Sequence, residues 1–228
     1  MSAKNNPYPQ GESTADYDRL AREVGWYSPD ILFGLCFEYI QPSERLLDIG
    51  IGTGLGSFPF AKAGLHVSGL DASLEMLNIV RSKGIAADLK QFDIRNTPWP
   101  YPDGFFNHMI ACGILHFMDD LTPIFLEAAR VVRPGGILAF STKAPPAEIK
   151  SAPGLYSTEV ICNVTIFLHH VTYIKTLMAE CGFVIMKHLE YLDAVDETGR
   201  RDPYNAWVNQ KERISNHHSQ QPVFGVIP

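Results

Sequence analysis

Apolar and polar positions in the middle of the chain alternate between two spacings. Five short apolar runs have the length of buried strands, and they lie at 45–50, 66–70, 88–92, 105–113 and 137–142. The stretches between them, such as 73–84 and 121–136, carry apolar residues at helical spacing and end on glycine. Strands that alternate with helices in this way predict a parallel sheet with helices on both faces.

The flanking regions extend the same pattern. Before the first strand, 15–24 and 29–40 are predicted helices, and Ser28 is positioned to cap the second one. After residue 168 the chain predicts one more helix and two more strands. We therefore expect a single α/β domain, a Rossmann-like three-layer sandwich whose mostly parallel sheet has seven strands. Its expected segments are an N-terminal helical part (1–44), a core (45–142), a long connection (143–168), a C-terminal helix with two strands (169–212) and a tail (213–228).

Composition disfavours several classes of protein. Hydrophobic residues make up 46% of the chain, enough for an ordinary core. The formal net charge of −6, without a lysine or arginine block, disfavours a nucleic-acid substrate. The polar start lacks the apolar stretch of a signal peptide, and the longest apolar run, Ile31–Ile40, is too short to span a bilayer. We expect a cytoplasmic protein with no membrane segment. Its four well-separated cysteines are expected to be reduced thiols, and they are Cys36, Cys112, Cys162 and Cys181.

The segment LLDIGIGTGLG (46–56) carries the most specific chemistry. The loop after the first strand of an open α/β sheet is where glycines let a ligand approach the backbone, and Gly50, Gly52 and Gly54 fit that place. No frame of these glycines gives the GxGxxG/A fingerprint of a nicotinamide site. Asp48, just before them, suits a ligand that carries positive charge and no phosphate. The methionyl group of S-adenosylmethionine, with its ammonium and sulfonium, is such a ligand.

Two further acids stand at the ends of the next two strands. Asp71 follows the second strand, where a carboxylate can accept hydrogen bonds from two ribose hydroxyls. Asp93 ends the third strand and could accept from an adenine amino group, with Met76 and Ile94 as apolar faces for the ring. Taken singly, each aspartate is as well explained by a helix cap or a turn. Because successive strand ends open on one crevice, the three together predict a nucleoside site.

These stretches resemble a known family. LLDIGIGTG, GLDASLEML, QFDIRNTPWPYPDGFFN and VVRPGGILAFS are together similar to class I S-adenosylmethionine-dependent methyltransferases, strongly over residues 45–142 and weakly over the C-terminal third. The motifs are specific for cofactor and fold, and they are uninformative about the substrate. Two departures are Asn107, where the family often has an aspartate, and Pro59, early in the first crossover helix.

The resemblance implies a role for each motif. The residues implied to cradle the methionyl part are Asp48, Gly50, Gly52 and Gly54. Asp71 is implied to hold the ribose, and the residues implied around the adenine are Ala72, Met76, Asp93 and Ile94. Cys112 lies where the family uses backbone beside the cofactor. The N-terminal segment that carries Tyr17, Trp26 and Tyr27 is implied to fold over the cofactor as a helical cap.

The chemistry of methyl transfer asks little of the protein. The donor is already activated, so the protein mainly orients two reactants and excludes water, and a base is needed only where the acceptor must lose a proton. His116 follows the fourth strand and is our candidate for that base or for a substrate contact; an ordinary loop histidine is an equal alternative. His169 and His170 are expected at a helix entry, and no metal site is predicted.

The connection 143–168 is too long for a simple loop and contains three prolines. Long connections often form lids or binding elements, and Tyr156 and Phe167 are candidates to line an acceptor pocket. The alternative is an insertion that packs on the edge of the sheet.

Three functions are compatible with these features to different degrees. A methyltransferase that uses S-adenosylmethionine and acts on a small molecule explains the loop, the acids and the sequence resemblance. A noncatalytic protein that binds the cofactor or its product and regulates a partner would carry the same residues, and only turnover distinguishes it. A nicotinamide oxidoreductase is disfavoured because the glycine fingerprint is missing.

Overall fold

The fold is known from a computed structural model that describes residues 16–146, 154–161, 163–195, 199 and 201–213. The described strands are β1 Arg45–Ile49, β2 His66–Asp71, β3 Asp88–Gln91, β4 Phe106–Ala111, β5 Val132–Lys143, β6 Tyr156–Ile161, β7 Val164–His169, β8 Phe183–Val195 and β9 Arg201–Lys211. Seven of them form one sheet in the order β3-β2-β1-β4-β5-β9-β8. The first five are parallel, and β9 runs antiparallel to β5 and β8. The predicted α/β fold with a mostly parallel seven-stranded sheet is confirmed.

Helices cover both faces of this sheet. The α-helices are α1 Tyr17–Glu23, α2 Ser28–Cys36, α3 Phe58–Lys62, α4 Leu74–Lys83, α5 Thr122–Val131 and α6 Val171–Glu180. Alternate strand residues point to opposite faces: Leu47 packs in the cluster that includes α5 and α6, whereas Leu46 packs in the cluster with α2, α3 and α4. The two apolar clusters fix the sheet between two helical layers, as the sequence predicts. Among the described helices, none has both the length and the apolar character needed to cross a bilayer.

Helix α4 begins and ends where the sequence predicts. The Ser73 hydroxyl accepts a hydrogen bond from the Met76 backbone N–H at 3.3 Å, which caps the first turn. At the other end Gly84 adopts a left-handed conformation with a φ of 63°, which favours glycine. These two residues set the length of the helix that follows β2.

The predicted cap of α2 is wrong. Ser28 is the first helical residue, and its hydroxyl bonds to Asp193 and, at 2.5 Å, to the Tyr191 hydroxyl. The Asp193 carboxylate, which comes from β8, accepts the backbone N–H groups of Tyr27 at 2.6 Å and Ser28 at 3.0 Å. A distant carboxylate therefore satisfies the start of this helix, and the local serine does not.

Strand β5 begins five residues earlier than expected. Helix α5 ends at Val131, and the segment Val132–Gly136, which was assigned to the helix and its stop, is already extended. Gly136 explains this because a Cβ there would lie 2.2 Å from the backbone oxygen of Asn107. The glycine lets β5 run against β4 at a point where their register shifts.

The long connection contains a β-hairpin. Strands β6 and β7 pair antiparallel, from Tyr156 opposite His169 to Ile161 opposite Val164, and form a separate two-stranded sheet. Residues 147–153 and Cys162 lie outside the described residues, as does the predicted tail except for residue 213. Among the described cysteines, Cys36, Cys112 and Cys181 are buried free thiols, as expected.

Candidate active site

The glycine loop after β1 lies at the carboxyl edge of the parallel strands. Gly52 has a φ of 55°, and a Cβ placed on it would meet only the Gly50 carbonyl oxygen, at 3.9 Å. Its outer surface therefore stays open to a ligand. Gly54 has a φ of 85°, and a Cβ there would lie 2.5 Å from Cδ1 of Ile85. Gly54 permits close packing, and the adjacent cavity is lined by Gly50 and Gly52 without it.

Asp48 is a buried carboxylate with one unoccupied oxygen. Its Oδ2 accepts a hydrogen bond from the Ser57 hydroxyl, whereas its Oδ1 has no hydrogen-bond partner among the described residues. Burial raises the pKa of Asp48 to about 7; the Ser57 hydrogen bond opposes this rise and nearby Asp71 adds to it. The side chain is only 2% exposed, so a cation or donor at Oδ1 would remove a substantial desolvation cost.

Asp71 connects the end of β2 to the glycine loop. Its Oδ2 accepts the Gly52 backbone N–H at 2.8 Å, and its Oδ1 accepts the Ser73 backbone N–H at 2.8 Å. Burial raises the pKa of the Asp71 carboxyl although both hydrogen bonds act to lower it. The carboxylate is thus fixed in place on two sides, and each of its oxygens retains a further lone pair.

The N-terminal helix α1 and the loop after it cover this region. Tyr17 and Trp26 pack edge to face with ring centroids 6.4 Å apart, and Trp26 lies so close to Gly113 that a Cβ there would be 2.8 Å from the indole. Asp18 accepts from the Thr53 hydroxyl at 2.6 Å and forms an ion pair with Lys83. These contacts fasten the cap to the glycine loop and to α4.

A cavity of about 20 Å³ lies between this cap and β1. Its wall includes the predicted residues Asp48, Gly50, Gly52, Met76 and Cys112, together with Tyr17 and Trp26 of the cap. A volume of this size holds about one water molecule. The unpartnered Asp48 oxygen suits the ammonium of a methionyl group in charge and hydrogen bonding, but the cavity is too small to hold a whole methionyl group.

The residues expected around an adenine are not all brought together. Met76 is buried against the cavity, whereas Ala72 is exposed and Ile94 packs in the apolar core. Both oxygens of Asp93 are held by Arg95, at 2.9 Å from Nε to Oδ1 and 2.6 Å from Nη2 to Oδ2. The Arg95 guanidinium lowers the pKa of Asp93, so its carboxylate is charged and already paired.

His116 lies in a single 3-10 turn, Leu115–Phe117, beyond the end of β4. The residue is partly exposed, and its ring contacts Phe117 with ring centroids 4.2 Å apart, while its Nδ1 is buried with no hydrogen-bond partner in the part of the chain that the structure describes. Burial lowers the pKa of His116 to about 3, and the nearby Lys143 and His169 lower it further. The imidazole is therefore neutral at physiological pH.

Comparison with known proteins identifies a methyltransferase domain in the chain. A family model described as a methyltransferase domain matches residues 47–140. The chain is 30% identical to a malonyl-[acyl-carrier protein] O-methyltransferase of Serratia marcescens over 78% of this chain and 66% of that protein. It is 31% identical to a demethylmenaquinone methyltransferase of Tropheryma whipplei over 43% of this chain and 41% of that protein. The chain belongs to the class I S-adenosylmethionine-dependent methyltransferases.

Solved structures share the fold of this methyltransferase family member. An S-adenosylmethionine-dependent methyltransferase of Methanosarcina mazei has a TM-score of 0.67 at 18% identity, over 79% of this chain and 98% of that one. The [4+2]-cyclase SpnF has a TM-score of 0.64 at 17% identity, over 92% and 99%. Identities this low show the fold alone, and the chain spans only 66% and 41% of its two curated relatives above.

The sequence analysis missed several residues that line this cavity. Thr53, Leu55 and Gly56 of the 46–56 motif line the cavity, as does Gly113, although none of the four was assigned a role. Gly56 was readable in principle, because it is the fourth glycine of the loop and a Cβ there would lie 3.0 Å from that of Cys112. The Asp18–Lys83 ion pair had no sequence signal, since it joins residues far apart in the chain. No group of three or more metal-ligating side chains occurs in the part of the chain that the structure describes.

Proposed function

We propose that this chain transfers a methyl group from S-adenosylmethionine to a small-molecule acceptor. One observation carries the proposal: buried Asp48 lines a cavity bounded by the glycine loop, and its Oδ1 has no hydrogen-bond partner among the described residues. Such an oxygen is costly to bury unless a cation or a donor binds it. When bound, S-adenosylmethionine supplies a methyl group on a positively charged sulfur, which keeps the electron pair as the carbon–sulfur bond breaks.

We assign each part of the cofactor to different residues of the site. Asp48 is proposed to bind the ammonium, and the backbone of Gly50 and Gly52 to border the methionyl chain. Asp71, already oriented by two backbone N–H groups, is proposed to accept the ribose hydroxyls through its remaining lone pairs. Met76 is proposed to contact the adenine, and Cys112 to pass its backbone beside the cofactor.

His116 is proposed to receive a proton when the acceptor must lose one. Its buried Nδ1 has no partner, and a neutral imidazole offers a lone pair for a proton or hydrogen bond. Burial lowers the pKa of His116, so its ring is neutral before the acceptor arrives and one of its two nitrogens carries a lone pair.

The relatives support methyl transfer and leave the acceptor open. One is named for a malonyl group on a carrier protein and another for demethylmenaquinone, so the two differ in the molecule that receives the methyl group.

Two measurements test the proposal. Calorimetric titration should show that S-adenosylhomocysteine binds and NADH does not. Radiolabelled S-adenosylmethionine incubated with fractionated cell extract should then yield a methylated small molecule. Failure to bind S-adenosylhomocysteine would overturn the proposal, and binding with no labelled product in any fraction would favour the noncatalytic regulator.

A further inference from the structure

A groove of about 970 Å³ lies beside the cofactor cavity. Trp26 and Leu55 line both spaces, so the two adjoin each other. Small-molecule sites in proteins commonly have volumes of about 300–1,000 Å³ and are lined mainly by apolar and aromatic side chains with a few polar groups. The groove has this size and this kind of wall, and none of the residues proposed to bind the cofactor lines it.

Three helices each turn one face toward the groove. On each helix two of the lining residues lie four positions apart, the spacing that places side chains on the same side of a helix. They are Asp18 and Arg22 on α1, Pro29 and Phe33 on α2, and Phe58 and Lys62 on α3. The groove therefore lies where three helices meet.

Aromatic side chains in the groove are open to solvent. Phe37 is 64% exposed and Phe58 is 44% exposed. Between them, Phe33 packs edge to face against Phe37, with ring centroids 5.8 Å apart, and against the buried Phe60, at 5.1 Å. Exposed aromatic residues that line one depression indicate a binding site, because covering them with a ligand removes their apolar area from water.

The charged residues of the groove leave an excess of positive charge. Asp18 and Lys83 form an ion pair with each other. Arg22 and Lys62 have no ion-pair partner in the part of the chain that the structure describes, and the remaining acid in the wall is Asp30. Two cations and one acid leave an excess of one positive charge, which attracts an anion.

The cation and the apolar surface are adjacent in this groove. The Lys62 ammonium lies 5.4 Å from the ring centroid of the exposed Phe58. A ligand that covers this ring therefore brings its own polar group close to a positive charge.

We infer that this groove binds an amphipathic anion, a small molecule with an apolar body and one negatively charged head group. The apolar body covers Phe37 and Phe58, and the head group lies near Arg22 and Lys62. The inference concerns a site beside that of the cofactor and does not depend on the proposed function.

The charge balance distinguishes this ligand from molecules with the same apolar body. A cationic head group would be repelled by Arg22 and Lys62, with only Asp30 to attract it. A neutral head group would leave only the apolar contact to hold the molecule. Affinity should therefore rank the anion first, the neutral molecule second and the cation last.

Three probes with one alkyl chain and different head groups test this ranking. Octanoate, octanol and octylammonium are titrated at neutral pH into the full chain, and binding is followed by tryptophan fluorescence. Trp99 and Trp207 are 2% and 0% exposed, so the change in fluorescence should come mainly from Trp26 in the wall of the groove. We expect octanoate to bind about tenfold more tightly than octylammonium, with octanol between them.

Phe37→Ser tests the apolar contact, and Leu126→Ser is its control. Phe37 is 64% exposed, so its loss should change the thermal stability little while octanoate affinity falls about fivefold. Leu126 is 55% exposed on α5, outside the groove, and its replacement should leave octanoate affinity constant.

The double variant Arg22→Gln and Lys62→Gln tests the charge. It should remove the preference for octanoate over octylammonium and leave octanol affinity constant, because only the two cations are lost. Lys175→Gln, which replaces an exposed lysine of α6 outside the groove, should keep the preference.

Four outcomes would overturn the inference. They are no octanoate binding at millimolar concentration, octylammonium binding as tight as that of octanoate, equal losses of affinity in Phe37→Ser and Leu126→Ser, or a preference for octanoate that survives in the double variant. Binding of S-adenosylhomocysteine is measured separately, so none of these outcomes bears on the proposed function.

Discussion

Asp48 shows how a single side chain can serve binding at the expense of stability. Its folded-state pKa is about 7, well above the value of about 4 for an aspartate in an unfolded chain. Between these two values the folded protein holds a proton that the unfolded chain has released. The contribution of Asp48 to stability therefore falls as the pH rises from about 4 to about 7, and it stays low above that range.

We predict that Asp48→Asn stabilises the ligand-free protein and weakens cofactor binding. Asparagine can still accept from Ser57 but carries no buried charge, so the free energy of unfolding should rise on the order of 2 kcal/mol at pH 8 and be unchanged at pH 4. Urea unfolding at both pH values measures this. Asp93→Asn is the control, since its pKa is lowered by Arg95 and its loss should reduce stability slightly. A stability gain equal at pH 4 and pH 8 would contradict the assignment.

Asp71→Ala should weaken S-adenosylhomocysteine binding by about 1–3 kcal/mol, because the ribose would lose a charged acceptor. Calorimetry on the folded variant measures the change. Asp88→Ala removes an acid from the adjoining strand at the opposite end of the sheet and should have no effect on binding. An unchanged affinity in Asp71→Ala would argue against the ribose role.

The sequence located the glycine loop and its acids because their spacing is local. Asp48, Gly50, Gly52 and Met76 do line the cavity. Gly54 and Ile94 do not line it. Gly54 packs against Ile85, and Ile94 packs in the apolar core. The sequence alone does not show which of these residues face the cavity, because that depends on tertiary contacts. The pairing of Asp93 with Arg95 was equally hidden, although the two are only two residues apart.

Among the structural elements, α2 depends on a carboxylate that the sequence did not connect with it. Asp193 of β8 accepts from the backbone N–H groups of Tyr27 and Ser28 and from the Ser28 hydroxyl. The start of α2 is thereby tied to the C-terminal part of the chain. The same contact holds the residues that directly follow Trp26 of the cap.

We predict that Asp193→Ala destabilises the protein by about 2–4 kcal/mol, because buried N–H donors at the start of α2 would lose their acceptor. The comparison is Asp30→Ala, which removes an exposed acid from the first turn of the same helix and should cost less than about 0.5 kcal/mol. Chemical unfolding of both variants measures the two changes in the free energy of unfolding. Similar decreases in the two variants would contradict a specific role for Asp193 at the start of α2.

Helices and strands with strong periodicity were predicted well, and those set by distant partners were not. Helix α4 carries its own capping serine and its terminal glycine, so its bounds follow from local sequence. The start of β5 depends on the approach of Gly136 to Asn107 across strands. The β6–β7 hairpin also escaped prediction, although its two runs flank Asn163, whose φ is 63°. Asparagine is common in turns because it tolerates the left-handed conformation, so Asn163 was a sequence signal for this hairpin. The prolines earlier in the segment favoured a loop instead.

For the whole molecule, the alternation of strands and helices between residues 45 and 142 was enough to predict the layered architecture. It was not enough to place β9 between β5 and β8, because strand order depends on pairings between residues far apart in the chain. The sheet that results brings β1, β2 and β4 to end side by side, which positions the glycine loop and Cys112 around one cavity, while Asp71 accepts a hydrogen bond from the loop at Gly52.

Binding of S-adenosylhomocysteine at the edge of the seven-stranded sheet should stabilise the folded protein as a whole. At a concentration about 100 times its Kd, S-adenosylhomocysteine should raise the free energy of unfolding by about 2.7 kcal/mol and the Tm by about 5–11 °C. Differential scanning calorimetry measures this shift, and NADH at the same concentration is the comparison. A larger shift with NADH would favour the oxidoreductase that the glycine spacing disfavours.

The small space beneath Tyr17 and Trp26 has a kinetic consequence. Because the cavity is too small for a nucleoside, we predict that Tyr17 and Trp26 move before one binds. The observed association rate should then level off with rising ligand concentration at the rate of that movement. Because Trp26 lines the cavity, stopped-flow tryptophan fluorescence should follow the binding of the ligand. Asp18→Ala removes the contacts of α1 with Thr53 and Lys83, so it should raise the limiting association rate. An association rate that rises linearly with ligand concentration in the unmodified protein would show that no such movement limits binding.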